Sequence, residues 1–303
     1  MEPISKIQNE KLQLQRLAAQ RQMYDEARRF KVYRMILTVP VAICWAILST
    51  FLIGNGIITL IGGLIIVLID IFTLSNIEKF IHEKAAKTQE LFDCDVLQMD
   101  WNYDSIGNPP TPDDIVEFAS RYDPKRYPNS PLDNWYSNKV DKLPIHLGRI
   151  VCQKSNLSWD AKLRRRYVKA ITIYLGLLTF LIICGGFIFS QIQLSGYTFI
   201  IASLGPIFIF SIREIKNNLE SAKSLDKLKE KMDILWHEAF IGKAQKEELV
   251  RASRNWQNDI YNHRKNSPVI PKQLYEKYRD PDETKMHRSS DALVEDALRH
   301  LKK

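Results

Sequence analysis

A chain of 303 residues with 43 Lys or Arg against 35 Asp or Glu carries a formal charge of +8. Hydrophobic residues make up 45% of it, yet its mean hydropathy is slightly negative, so the apolar residues must be concentrated in a few segments. The four cysteines (Cys44, Cys94, Cys152 and Cys184) form no CxxC pair, which argues against a zinc ribbon or a disulfide framework and suits a reducing setting.

Residues 1–34 hold eight basic and four acidic groups. Ile4, Ile7, Leu12, Leu17, Tyr24, Ala27 and Phe30 stand among polar neighbours, with Pro3 where a helix start tolerates proline. One amphipathic helix over 4–34 is predicted. Thirty-four mostly polar residues precede the first apolar run, so that run is expected to act as an uncleaved targeting signal.

Met35 to Ile69 then run thirty-five residues without a charge, and Ala170 to Ile212 run forty-three. About 20 apolar residues in a helix span a bilayer core, so each run is long enough for two crossings. Gly54-Asn55-Gly56 breaks the first and Gln191 to Gly196 the second, with residues that suit turns and not hydrocarbon. The prediction is two transmembrane hairpins, four crossings in all. Arg28, Arg29, Lys31 and Arg34 flank the first crossing, Lys79 the second, Arg164 to Arg166 with Lys169 the third, and Arg213 with Lys216 the fourth. Both turns are uncharged. The positive-inside rule then puts both termini and the segment between the hairpins in the cytoplasm. A basic pI has its source in these flanks, and no DNA or RNA partner is implied.

Asp70 is the one acid within the hairpin over 35–77. It lies about 20 Å from the outer turn at 1.5 Å per residue. Intramembrane acids face a partner or water. Two readings stay open: a pore or gate acid, or a cytosolic-side anchor paired with a basic flank such as Arg34 or Lys169.

Residues 78–166 carry fourteen groups of each sign and suffice for one small, mostly helical domain. Thr111-Pro112-Asp113-Asp114 is a helix start, with a cap, a first-turn proline and acids at the positive end of the dipole. Leu143-Pro144 begins a further helix, and Ser158 can cap the one that enters the membrane at Tyr167. Thr88 to Ser120 hold eight acids and no Lys or Arg, whereas Lys142 to Arg166 hold seven basic residues and one acid, Asp160. Either the two blocks pair, or the basic one receives a phosphorylated ligand. In the second case Arg149, Lys154 and Arg164 would meet phosphates, and Trp135, Tyr136 or Trp159 would stack on bases.

Residues 213–264 read as one long polar helix. Leu225, Leu228, Met232, Leu235 and Ala239 give two heptads of seam, for a second copy or for the N-terminal helix. Pro268 and Pro271 end it, and a last short helix is expected from about Ser290 to Leu301. The chain thus divides into a cytosolic helix (1–34), hairpin one (35–77), a cytosolic middle domain (78–166), hairpin two (167–212), a long cytosolic helix (213–265) and a C-terminal tail with a short helix (266–303). The fold class is an all-α integral membrane protein.

Asp100-x-Asn102-x-Asp104 opens like a calcium loop, but Ser105 and Thr111 stand where glycine and the last acid are required. His82-Glu83 lacks the second histidine of a zinc-protease helix, and no GxSxG, P-loop or GxGxxG is present. No enzyme, metal or cofactor is expected. Gly62-Gly63 and Gly185-Gly186 suit close helix packing.

Several strings occur together: Arg16 to Tyr24 (RLAAQRQMY), Glu90 to Asp95 with Trp101-Asn102, Asn134-Trp135-Tyr136, and Leu143-Pro144 followed by Arg149 to Gln153, Asn156 to Asp160 and Leu163-Arg164. In this order, around two hairpins, they resemble the bacterial S-four-TM family of effectors, over about residues 5–280. The resemblance implies a membrane effector of cyclic-oligonucleotide antiphage signalling. A separate synthase would make the cyclic nucleotide, and the effector would oligomerise and permeabilise the bacterial inner membrane. No family binding residues carry over. A membrane-anchored scaffold and a small ion channel without a nucleotide ligand are the alternatives.

Overall fold

The computed structural model describes residues 2–49, 56–127, 131–157, 160–188, 201–202 and 204–301. Both hairpin turns, Gln191 to Gly196 and most of Gly54-Asn55-Gly56, lie outside these, as do Ser158 and Trp159. Among the described residues the chain is all helix, with no strand. Three helical stretches are long and apolar enough to cross a membrane: Lys11–Leu48, Gly56–Val96 and Ile145–Gly185.

The N-terminal segment differs from a single amphipathic helix. A turn of helix, α1 (Ile4–Ile7), is followed by a break, and α2 then runs over Lys11–Ile36. Both faces of α2 are covered: Arg16, Gln20, Arg21, Gln22, Asp25, Arg28, Lys31 and Arg34 are all buried. It is the axis of the polar body. A π-turn, Leu37–Val41, carries α2 into α3 (Ala42–Leu48) around Pro40. Proline lacks the N–H of an α-turn and crowds the carbonyl four residues back, and the wider turn accommodates this.

The return helix α4 (Gly56–Ile69) passes through a second π-turn, Asp70–Leu74, into α5 (Ser75–Val96). Trp45 fixes the hairpin. Its indole Nε1 donates to the Thr59 carbonyl at 3.0 Å, and a Cβ at Gly62 would come within 2.1 Å of the ring. Gly62 therefore serves close packing, whereas a Cβ built at Gly185 would meet nothing within 4 Å among the described residues.

Two short helices follow, α6 (Tyr103–Ile106) and α7 (Pro112–Ser120). Thr111 caps α7 as expected, accepting from the Asp114 N–H at 3.2 Å. Ile115 and Phe118 of α7 pack on Ala19 and Met23 of α2. After a short 3-10 turn at Asn138–Lys142, α8 (Ile145–Leu157) forms the centre of the polar body, and α9 (Asp160–Ile188) leaves it for the second apolar run. Exposed Leu177, Phe180, Leu181 and Phe187 line the outer face of α9, the surface a bilayer would cover.

The predicted long helix is two. α10 (Gly205–Phe240) ends where Gly242 takes φ +73°, and α11 (Lys246–Asn266) starts after the turn. The Lys243 and Ala244 N–H groups both donate to the Glu238 carbonyl there, a C-terminal stop of the kind glycine permits. The seam Leu225, Leu228, Met232 and Leu235 shares a core with Leu147, Ile150 and Val151 of α8 and with Leu249, Trp256 and Ile260 of α11. Within the chain this core is drawn chiefly from α8, α10 and α11, and Leu17 is the residue that α2 contributes to it. The C-terminal tail is also more helical than predicted: α12 spans Lys272–Leu301, thirty residues, and Val294 and Ala297 bury in the same core.

Candidate ligand cavity

Four helices continue into apolar runs, and all four contribute to one internal cavity of about 190 Å³. Gln20, Arg21, Tyr24 and Arg28 come from α2, His82 and Gln89 from α5, Asp160 and Arg164 from α9, and Leu225 from α10. His263 and Arg264 of α11, Trp135 of the loop ahead of the 3-10 turn at Asn138–Lys142, and Tyr275 of α12 close it. Residues at positions 20, 21, 24 and 28 share one helical face, which explains why α2 keeps polar side chains inside.

The lining holds four arginines and one acid, Asp160. Each arginine is held differently. Arg164 Nε donates to Asp160 Oδ2 and its Nη1 to Asn218 Oδ1 and the Pro268 carbonyl, each at 3.0 Å. Arg264 Nη1 donates to Asp93 Oδ2 at 2.6 Å. Arg28 Nη1 donates to Asp25 Oδ1 at 2.9 Å, and Tyr127 donates to the other oxygen of that carboxylate. Arg21 donates to the Tyr122 hydroxyl at 3.1 Å and lies among the rings of Tyr122, Tyr127 and Trp135.

Three buried polar atoms on this lining have no hydrogen-bond partner: Gln20 Oε1, Arg28 Nε and Arg264 Nη2. An orphaned donor in a folded interior costs about 1–3 kcal/mol, and such groups call for an explanation. Burial, then the nearby Arg164 and Arg28, pushes the His82 imidazole down to about 3. His82 is thus neutral, and the positive charge of the cavity belongs to the guanidinium groups. Burial alone would raise the Asp160 carboxyl, but Arg164 and the hydrogen bond from His263 hold it below the ordinary range. It stays ionised as the partner of Arg164.

The candidate residues read from sequence divide between this cavity and other places. Arg164 and Trp135 line it. Tyr136 lies behind it, donating to Asp93 Oδ1 at 2.6 Å and accepting from Asn156 at 3.0 Å. Arg149 is elsewhere, donating to the carbonyls of Leu97 and Gln98 and so closing the end of α5. Lys154 pairs with Asp233 at 2.7 Å and lies over the Trp236 ring. Trp159 lies outside the described residues. The acidic and basic blocks of the middle segment go to third parties: Glu90 and Asp93 to Arg254 and Arg264, Asp95 to Arg16, and Arg165 to Asp226.

Arg21, Arg28 and Arg264 are cavity residues that the sequence pattern does not single out: Arg21 falls within the Arg16-to-Tyr24 string, but Gln20, Tyr24 and Arg28 recur at a helical spacing that a solvated face shares.

Asp70 is placed in a second charged cluster, where α2, α5 and α10 reach the apolar runs. Arg34 donates to Asp70 Oδ1 at 2.6 Å and to Glu78 Oε2 at 2.7 Å. Arg213 stands 3.4 Å from Asp70 Oδ2, and Lys31 pairs with Glu214. Lys31, Arg34, Asp70, Glu78 and Glu214 are all buried. Among the described residues no group of three or more potential ligands could hold a metal ion.

The profile of the SMODS-associating 4TM effector domain matches residues 2–293, and the chain belongs to that family. It is also similar to a probable CBASS effector molecule of Bacillus cereus strain VD146, with 27% identity over 286 residues, covering 92% of this chain and 94% of the relative. No solved structure matches it. The chain is thus a helical protein of a 4TM effector family, with helices long and apolar enough to cross a membrane.

Proposed function

We propose that this protein oligomerises and permeabilises the bacterial inner membrane when a cyclic oligonucleotide occupies the arginine cavity. Four crossings, with both termini and the polar body in the cytoplasm, follow from the basic flanks under the positive-inside rule. One observation carries the reading: each helix that continues into an apolar run has a residue on the cavity wall, namely Arg28, His82, Arg164 and Leu225. Guanidinium groups meet phosphates, and Tyr24 and Trp135 offer rings to bases. Arg28 and Arg264 each hold one buried nitrogen with no hydrogen-bond partner among the described residues, a capacity that rearrangement of the cavity would free for an acceptor.

At about 190 Å³ the cavity is below the ~300–1,000 Å³ of pockets that enclose a drug-sized ligand. A cyclic dinucleotide must therefore widen it, and widening displaces the helices that enter the bilayer. A near-complete switch requires about 5.5 kcal/mol tighter binding to the open arrangement. Four crossings in one chain are too few to surround a wide aqueous pore, so several copies assemble.

Dye release from phosphatidylethanolamine–phosphatidylglycerol vesicles, with and without cyclic di- and trinucleotides, tests this. Release that depends on nucleotide and rises steeply with protein density is expected. Intact vesicles under every ligand at high protein density would sink the reading.

A further inference from the structure

Pro268 and Pro271 separate α11 from α12, and the first two turns of α12 lay two tyrosines on two arginines. The Tyr275 ring covers Arg28, with the guanidinium carbon 3.9 Å from the ring centroid. Tyr278 covers Arg166 at 4.2 Å. By contrast, the Arg21 contacts with Tyr127 and Trp135 are looser, at 5.2 and 5.9 Å. Arg28 is buried, with one edge on Asp25 and its Nε unpartnered. A planar ring at van der Waals distance from a guanidinium face is the arrangement in which proteins hold an unstacked nucleobase.

We infer that the face of Arg28 is the nucleobase subsite of this cavity, and that Tyr275 occupies it as a built-in competitor. This rests on the cavity being the cyclic-oligonucleotide site. A base entering the seat must expel the tyrosine. The same helical segment is fastened to the root of the second apolar run: Ile270, Leu274, Tyr275 and Tyr278 pack with Leu163, Tyr167 and Ile171 of α9. Because Tyr275 and Tyr278 share a rigid helix, leaving Arg28 also draws Tyr278 from Arg166. α9 then loses its cover where it enters the bilayer. Binding and release are one displacement.

The test compares the full chain with Tyr275→Ala and Tyr275→Phe in phosphatidylethanolamine–phosphatidylglycerol vesicles, with cyclic di-AMP, cyclic di-GMP and cyclic tri-AMP as probes. Tyr275→Ala vacates the seat, so apparent affinity should tighten about tenfold as the competent fraction rises, and dye should leak without any nucleotide. Tyr275→Phe keeps the ring over Arg28 and should leak less without nucleotide than Tyr275→Ala. Hydrogen exchange over residues 272–278 of the wild type should rise when a nucleotide binds, a readout that holds even where the alanine variant folds poorly. Unchanged or weaker affinity of Tyr275→Ala, with no leak in the absence of nucleotide, overturns the competitor role, as does unaltered exchange in a wild type that binds. A wild type that binds none of the probes counts against the cavity as their site. Leakage by the ligand-free alanine variant still decides the latch in that case: a leak supports it, and tight vesicles overturn it.

Discussion

Two buried clusters of charge lie along α2, less than three turns apart, and they are built on opposite principles. At the membrane boundary Arg34 spends its guanidinium on two acids, Asp70 and Glu78, and Lys31 is matched to Glu214. On the cavity wall, by contrast, four arginines stand with one acid, Asp160, and the carboxylates that hold Arg28 and Arg264 lie behind the lining. Balanced buried pairs clamp geometry, because removing either partner strands a charge in low dielectric. A surplus of guanidinium groups around a cavity suits an incoming anion, which is the basis of the receptor role proposed above.

The contrast can be broken most forcefully at the clamp. Arg34→Met leaves Glu78 buried without its cation and Asp70 with only Arg213 at 3.4 Å. The expected loss is about 3–5 kcal/mol, seen as a lower melting temperature in detergent. A variant that melts with the wild type would mean the boundary pairs are not a clamp.

In the cavity, binding is the readout that separates the clusters. Arg28→Met leaves Asp25 buried against the Tyr127 hydroxyl, so stability should fall by about 3–5 kcal/mol here too. Binding of a cyclic nucleotide, measured by calorimetry on the folded variants, should weaken about 10–100-fold in Arg28→Met with the loss of a charged hydrogen-bond donor and stay near the wild type in Arg34→Met. Equal weakening in both would erase the distinction between the clusters.

Acid provides a third test. His82 is held at about 3 in the folded protein against an ordinary 6.5, so the unfolded chain binds more protons between those values. Stability from this group is complete above pH 6.5 and lost as pH falls towards 3. At pH 5 the loss is about 2 kcal/mol. Melting curves at pH 5 and 7.5 should differ by more in the wild type than in His82→Gln. Arg21→Gln is expected to have the smallest effect, less than about tenfold on binding, because the Arg21 guanidinium is already engaged by the Tyr122 hydroxyl and by three surrounding rings.

Much of the architecture could be read from residue type alone. The two uncharged runs, their basic flanks and the Thr111 cap are local patterns, and three stretches long enough to cross a membrane follow directly from them. The cavity is not local. Arg21, Arg28, Arg164 and Arg264 come from three helices distant in sequence, and nothing in a one-dimensional pattern marks them as neighbours. α2 misleads for a specific reason. Buried polar residues lining a cavity recur at helical spacing just as solvated ones do, so Gln20, Tyr24 and Arg28 look like a wet face. The middle segment misleads by its charge blocks, because acids such as Glu90 and Asp93 find their cations more than 160 residues away on α11.

The two π-turns have a consequence of their own. Leu37–Val41 and Asp70–Leu74 interrupt the two helices of the first apolar hairpin where each leaves the polar body, whereas α9 runs unbroken from Asp160 to Ile188. A π-turn holds a residue more than an α-turn, and such bulges recur at working sites. Ejecting that residue would turn the rest of the helix about its axis by roughly a quarter of a revolution at 3.6 residues per turn. Such a step would let the first hairpin turn at both of its roots and change which side chains face outward, whereas α9, unbroken over Asp160–Ile188, could tilt or slide only as a rod. Under the gating proposed above, one displacement in the body would then have two mechanical outputs, torsion in one hairpin and thrust in the other.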